Sequence, residues 1–169
     1  MKNYCLLVAF LGLFSMSYGQ AFNQNYSETK SFIPNKGQFE NRDWGKFNKI
    51  EFAYTHNPFY IFFSKEGLTY RFDKIIKNPK YKKGDPHSPP KRTNISELVF
   101  AEWVGANKNV KIVTEDQTAF HYSYAIKDPR TGNVRNESNV KGFKKITYKN
   151  LYDNIDVEYT IHKDGGVKY

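Results

Sequence analysis

The sequence predicts an all-β domain, an antiparallel sheet arranged like a β-sandwich, and three observations lead to this prediction. Apolar and polar side chains alternate with a period of two in several short segments, as they do in strands with one buried face. Turn-forming residues separate these segments, and no long segment has helical periodicity. Phe and Tyr are abundant, 14 and 13 in 169 residues, and such rings favour pleated, half-buried surfaces.

The amino terminus has the composition of a secretory signal peptide. A basic start is followed by the apolar run CLLVAFLGLF at 5–14 and by small residues just before Gln20. The run is shorter than the ~20 apolar residues that a membrane-spanning helix needs, so we expect residues 1–19 to be removed on export. The mature protein would then be secreted or held at the cell surface. It would contain no cysteine, because Cys5 is the only one in the sequence.

The next segment is expected to lead into the sheet. Residues 20–31 are polar and aperiodic, and we interpret them as a flexible lead-in. They are followed by the turn PNKG at 34–37, which lies among apolar residues. We expect this segment to pack on the sheet with Trp44 as an anchor, whose replacement by Ala would cost about 3–5 kcal/mol if the ring is buried.

The strands are expected to begin near Ile50. Segments 50–55 and 68–72 alternate, 59–63 is an apolar run, and turn residues separate the three, which predicts a hairpin. Segment 97–104 has apolar side chains on both faces, from which we predict a central, deeply covered strand. Further strands are predicted at 110–113 and 120–125, followed by a polar connection at 127–139.

The end of the chain has the clearest alternation. Its apolar set is Ile155, Val157, Tyr159 and Ile161, and its polar set is Asp156, Glu158, Thr160 and His162. This pattern predicts a three-stranded meander with one face in water. Because the alternation still runs at Tyr169 without a stop signal, we expect the β-rich domain, residues 32–169, to be truncated at its C-terminal edge.

A basic, proline-rich segment at 74–95 is predicted to form a long exposed loop. The formal net charge is +9, and this segment contributes Lys74, Lys77, Lys80, Lys82, Lys83, Lys91 and Arg92. These side chains could bind an anionic ligand such as an acidic polysaccharide. The alternative is a solvated loop that resists aggregation, which we favour. We do not expect nucleic acid as the partner of an exported protein.

Few residues suggest chemistry, and we predict no catalytic residues and no cofactor. The histidines are scattered, without the spacing of a zinc site. The oxygen-rich cluster of Asp153, Asn154, Asp156 and Glu158 is a weak calcium candidate. We favour the alternative, in which these residues form a turn followed by the wet face of a strand.

Glu102 is the one carboxylate that suggests catalysis. It lies in an apolar strand beside Trp103, where burial would raise the pKa of the carboxyl group. A glycoside-hydrolase-type activity would also need a second carboxylate facing it, and the sequence does not identify one.

Four motifs together resemble a known family. They are FIPNKGQFENR at 32–42, IFFSKEGLTYRF at 61–72, LVFAEWVGAN at 98–107 and ITYKNLYDNIDVEYTIHKDGGVKY at 146–169. They resemble the amino-terminal domain, of unknown function, of large secreted surface proteins of Bacteroidetes. Such proteins often carry β-propeller-type repeats and a gliding-motility-associated or type IX secretion sorting domain. The chain departs from the pattern with Asp153-Asn154 for a Pro-Gly turn and with Ser96-Glu97 for a His-Arg pair.

The expected function follows from composition and resemblance together. We expect a non-catalytic structural or adhesion-type domain at the amino terminus of a secreted or cell-surface bacterial protein. The alternative is a carbohydrate-binding or glycan-processing accessory module that uses exposed Tyr and Trp as stacking platforms. The resemblance implies that the partners are other domains of the same longer polypeptide, with association to the outer-membrane surface through a carboxy-terminal domain, and surface polysaccharide is a further expected partner.

Overall fold

The computed structural model describes residues 30–39, 46–47, 49–128 and 130–169. In these ranges the chain forms nine strands and no helix, which confirms the predicted all-β class. The strands are β1 (Phe32–Pro34), β2 (Phe52–His56), β3 (Phe59–Phe63), β4 (Gly67–Lys77), β5 (Arg92–Glu102), β6 (Lys111–Lys127), β7 (Val134–Tyr152), β8 (Ile155–Ile161) and β9 (Val167–Lys168). The predicted signal peptide, the lead-in up to residue 29 and Trp44 lie outside the described residues.

The strands form one antiparallel sheet that does not close on itself. Its order is β5-β4-β3-β2-β1-β7-β8-β9, and β6 pairs with the other edge of β7. β7 is 19 residues long, and this length lets it pair with β1 at Phe143 and with β8 from Lys145 to Tyr152. The sheet therefore has two wings joined at β7, one of β1 to β5 and one of β6 to β9.

The two wings face each other across the main hydrophobic core, as in a sandwich. The ring of Phe63 on β3 lies 5.2 Å from the ring of Tyr159 on β8 and 5.2 Å from that of Phe32 on β1. The hydroxyl of Tyr148 donates a hydrogen bond of 3.0 Å to the carbonyl oxygen of Ser64, and both residues are buried. The remaining buried members are Phe52, Tyr54, Ile61, Leu68, Val110, Ile146 and Leu151.

A second, smaller core covers the opposite face of the first wing. Because Phe32 and Ile33 are adjacent in β1, their side chains point to opposite faces, and Ile33 lies in the second core. Phe39, Ala53, Phe62 and Val140 complete this core, with Tyr122 and Tyr124 packed against it. The long β6–β7 hairpin thus contributes to both cores, and its register shifts between Gln117 and His121.

The alternation predicted for the carboxy-terminal meander is confirmed at its centre, since Tyr159 is buried while Asp156 and Glu158 are exposed. Ile155, which was expected on the buried face, is instead 53% exposed. Three other predictions differ from the structure. The segments 110–113 and 120–125 belong to one continuous strand, β6. β7 begins inside the predicted polar connection. The exposed loop is shorter than predicted, residues 78–91, because 74–77 and 92–95 pair as the outer part of the β4–β5 hairpin.

The prediction of a central, covered strand at 97–104 is wrong. These residues belong mostly to β5, which pairs only with β4 among the described strands and is therefore an edge strand. Its apolar side chains point to both faces, as the pattern predicted, but most of them are exposed.

Candidate functional site

The β4–β5 hairpin is the part of the described surface with the most exposed apolar side chains. Leu68 and Tyr70 on β4 contact the main core, and the same face continues outward through Phe72, which is 45% exposed. Across the strand pair, this face carries Val99 and Ile95 of β5, which are 55% and 42% exposed. The face is thus an apolar extension of the core that the second wing does not reach.

The outer edge of β5 is unpaired by any strand in the part of the chain that the structure describes. All eleven residues from Arg92 to Glu102 pair with β4 on one side, without a register shift, and no described strand pairs on the other side. We call this side the β5 edge. The backbone N–H and C=O groups along such an edge are available to another strand.

A cluster of polar side chains lies on the opposite face of the same hairpin. Arg71 Nε and Nη2 donate to the two oxygens of Asp73 at 2.6 and 2.7 Å, and Ser96 Oγ donates to Asp73 at 2.7 Å. Arg71 also lies over the ring of Tyr60, 5.1 Å from its centroid. These hydrogen bonds, first that of Arg71 and then those of Ser96 and Asn94, hold the pKa of Asp73 below its usual value.

This cluster borders an open cleft of about 520 Å³, which we call the Asp73 cleft. It is lined by Asn57, Pro58, Tyr60, Asp73, Ile75 and Asn94. Two amides, a carboxylate and an aromatic ring are the groups that bind sugar hydroxyls and pack on sugar rings. The spacing of Arg71 and Asp73, two residues apart in a strand, already places them on one face, but no motif in the sequence points to this pair.

Glu102 is not buried as expected. Its side chain is 52% exposed and forms a salt bridge of 2.8 Å with Lys46. It lines a second cleft, of about 400 Å³, together with Glu66, Trp103 and Asn107. The indole Nε1 of Trp103 is buried without a hydrogen-bond partner, and its ring packs 6.1 Å from that of Tyr148. Trp103 is therefore mainly a packing residue. The expectation that the chain has no catalytic residue stays a prediction.

The weak calcium candidates do not converge on one point. Asp156 pairs with Lys149 at 2.8 Å and accepts a hydrogen bond from the backbone N–H of Asn150, and these contacts lower its pKa. Glu158 pairs instead with Lys145 at 3.4 Å. The third, Asp153, is exposed in the turn between β7 and β8. In the described part of the chain, no group of three His, Cys, Asp or Glu side chains is placed to hold a metal ion.

The predicted basic residues are divided between the hairpin and its loop. Lys77 and Arg92 face each other as the last pair of β4 and β5. Lys80, Lys82, Lys83 and Lys91 lie in the exposed loop, which is closed by a backbone hydrogen bond from Asn78 to Lys91. Within the described ranges, none of these six side chains forms a salt bridge. Binding of an anionic ligand by this loop stays a prediction.

The fold and the surface define an antiparallel all-β domain with a protruding hairpin, and the described residues include no helix that is long and apolar enough to cross a membrane. Residues 32–169 match the family described as domain of unknown function DUF7948, and the chain belongs to this family. The match covers the same residues as the motif resemblance. Searches of curated proteins and of solved structures find no match.

Proposed function

We propose that this chain is a non-catalytic structural or adhesion-type domain of a secreted or cell-surface protein, and that it acts by binding polypeptide along the β5 edge. One observation carries this proposal: β5 has an open backbone edge flanked by exposed apolar side chains on both faces. Val99 lies on one face and Phe100, which is 36% exposed, lies on the other.

Such an edge suits strand addition. The backbone of an added strand would satisfy the N–H and C=O groups of β5, and its alternate side chains would cover the exposed apolar residues on each face. Phe72 and Ile95 would then lose contact with water, which is the main favourable contribution to binding.

The sequence supports an extracellular setting for this role. The amino-terminal run has the composition of a signal peptide, and the four motifs resemble the first domain of Bacteroidetes surface proteins. In that setting the polypeptides nearest to the β5 edge are other domains of the same surface protein and the proteins of neighbouring cells. Association with the outer-membrane surface would come from elsewhere in the longer polypeptide.

A bead-attachment assay tests the proposal. Beads coated with the exported protein are mixed with cells that produce it, with Val99→Lys as the variant and Val134→Lys as the control. Val134 is 60% exposed on β7, at a distance in sequence from β5. We expect attachment to be lost with Val99→Lys, kept with Val134→Lys, and unaffected by soluble polysaccharide. Attachment that survives Val99→Lys would refute binding along β5.

Carbohydrate binding is the second candidate function, and the Asp73 cleft favours it. There Tyr60, Asp73 and Asn94 present a ring, a carboxylate and an amide to one open space. A polysaccharide array tests this function, with Asn94→Ala as the variant and Asn109→Ala, an exposed loop position, as the control. Saturable binding that only Asn94→Ala removes would favour the carbohydrate function over polypeptide binding.

A further inference from the structure

The β5 edge differs from the other open edges of the sheet. Proteins usually protect an open edge with bulges, prolines, lysines or short strands. The edge of β6 is interrupted by register shifts and by Asp116 with φ of 56°, and β9 is two residues long. β5 has eleven residues in unbroken register and contains neither proline nor lysine between Arg92 and Glu102. Among the described residues, this edge therefore lacks bulges, prolines and lysines, and Glu97 is the charged side chain at its centre.

The sequence of β5 is complementary to itself in the antiparallel direction. When a second β5 is placed against the first with Glu97 opposite Glu97, Arg92 comes opposite Glu102 at both ends. In the same register Ile95 comes opposite Val99, so that exposed apolar side chains meet on one face. Opposite charges and apolar pairs directly across two strands are the pairs that stabilise a sheet.

From this complementarity we propose that two copies of the chain pair through their β5 edges, antiparallel about a two-fold axis at Glu97. The proposal rests on the proposed function, because it names the polypeptide that binds the edge. The two sheets would join into one continuous sheet, and each copy would bury the exposed apolar residues of the other. A symmetric pair of this kind is the commonest form of self-association in soluble proteins.

Neighbouring registers are less favourable. A two-fold axis perpendicular to the sheet can pass through any residue of β5 and keeps each face on its own side, so the nearest alternative registers centre on Ser96 or Leu98. Centring on Ser96 places Ile95 opposite Glu97, and centring on Leu98 places Val99 opposite Glu97. Both registers set a charge against an apolar side chain and separate Arg92 from Glu102.

The proposed register has one unfavourable pair, and that pair makes it testable. The two Glu97 carboxylates lie opposite each other at the axis, where like charges oppose pairing. We therefore expect Glu97→Gln to strengthen self-association by about three- to fivefold, the effect of removing one repulsion between exposed charges. In a register that does not place the two Glu97 side chains opposite each other, Glu97→Gln would not strengthen the self-association in this way.

Sedimentation equilibrium of the full chain over a wide concentration range measures the association. We expect a monomer–dimer equilibrium that Val99→Lys weakens at least about tenfold, because a lysine on an edge opposes strand pairing. Val134→Lys, which adds the same charge away from β5, should leave the equilibrium unchanged. Far-ultraviolet circular dichroism confirms that each variant is folded.

A charge exchange tests the register independently of Val99. Arg92→Glu alone should weaken the dimer about threefold or more, and Arg92→Glu combined with Glu102→Arg should restore it, because the opposite charges meet again with their positions exchanged. Failure of the double variant to restore association would overturn this register.

The outcomes separate this proposal from the proposed function. A chain that stays monomeric at every concentration, with bead attachment still lost in Val99→Lys, would overturn pairing of two copies and leave the β5 edge as the site for a different polypeptide. A dimer that is insensitive to Val99→Lys and to the charge exchange would overturn the proposal as well. A dimer that follows all the expected changes, while bead attachment does not depend on Val99, would support self-association through β5 and refute adhesion between cells as the role of this edge.

Discussion

Replacing Gly142 with Ala should destabilise the protein by disturbing the point where β1 meets β7. A Cβ at Gly142 would overlap the Ser31 hydroxyl, lie 2.7 Å from Ser31 Cβ and lie 3.2 Å from Thr118 Oγ1. Relieving this overlap costs about 1–3 kcal/mol, as overpacking typically does. Movement of Ser31 would also lengthen its hydrogen bond of 2.8 Å to Tyr122, at a cost of about 0.5–1.5 kcal/mol.

One effect acts in the opposite direction. Ala restricts the unfolded chain more than Gly does, and this stabilises the folded state by about 0.4–1 kcal/mol. The net expectation is a loss of about 1–3 kcal/mol in the free energy of unfolding, measured by urea denaturation. Gly166→Ala is the control, because a Cβ there meets nothing within 4 Å.

A double variant tests the cause. Combining Gly142→Ala with Ser31→Gly removes the overlapping atoms, so the two changes should be less destabilising together than the sum of their separate effects, by about 1 kcal/mol. The reasoning would be refuted if Gly142→Ala unfolded at the same urea concentration as the wild type, or if the two changes were simply additive.

Three further predictions concern charge and pH. Asp73→Asn should lower the free energy of unfolding at pH 7 by about 1.5–3 kcal/mol, because Arg71 loses its charged acceptor. Because the folded-state pKa of Asp73 is lowered, the difference from wild type should begin to shrink below about pH 4 and should disappear as the pH falls through that lowered pKa. A constant difference across a urea series at pH 2–7 would contradict this. Burial raises the pKa of Tyr148 well above its usual value and that of Tyr124 to about 12. These two groups should therefore not change the stability below pH 9, and the stability should fall above about pH 10, where the unfolded chain loses these protons first. A urea midpoint that stays flat between pH 9 and pH 11 would argue against this. Calcium should leave the melting temperature unchanged, because Asp156 is already paired with Lys149. A melting temperature that rises with calcium but not with magnesium would show that this interpretation is wrong.

The sequence predicted the elements that one pattern controls. The segments that became β2, β4 and β8 alternate and are bounded by turn residues, and the one that became β3 is an apolar run between two turns, so these strands could be predicted from local sequence. The contact between Arg71 and Asp73 could also have been predicted, because residues two positions apart in a strand point to the same face of the sheet. Their third partner, Ser96, could not, since it reaches Asp73 only through the β4–β5 register across the 78–91 loop.

The burial of β5 was mispredicted for a physical reason. Apolar side chains on both faces predict a strand covered on both sides, but the pattern contains no information about whether a neighbouring layer reaches it. The same limit applies to Asp156 and Glu158. The pattern placed them correctly on a wet face, whereas the lysines that pair with them come from β7 and are opposite only in the folded sheet.

The open edge of β5 follows from the order in which the chain forms the sheet. β2 to β5 are laid side by side, and after β5 the backbone N–H of Trp103 bonds to Glu66 and that of Asn107 bonds to Leu151, so the chain turns toward the second wing. β6 then pairs with β7, which is engaged on its other side by β1 and β8. No other described strand of the same chain is left to cover β5, and a strand that fills this edge must come from another chain or from residues outside the described ranges. Exposed apolar side chains on an unprotected edge are costly in an isolated domain, and this is why we infer that binding of polypeptide at β5 is part of the function.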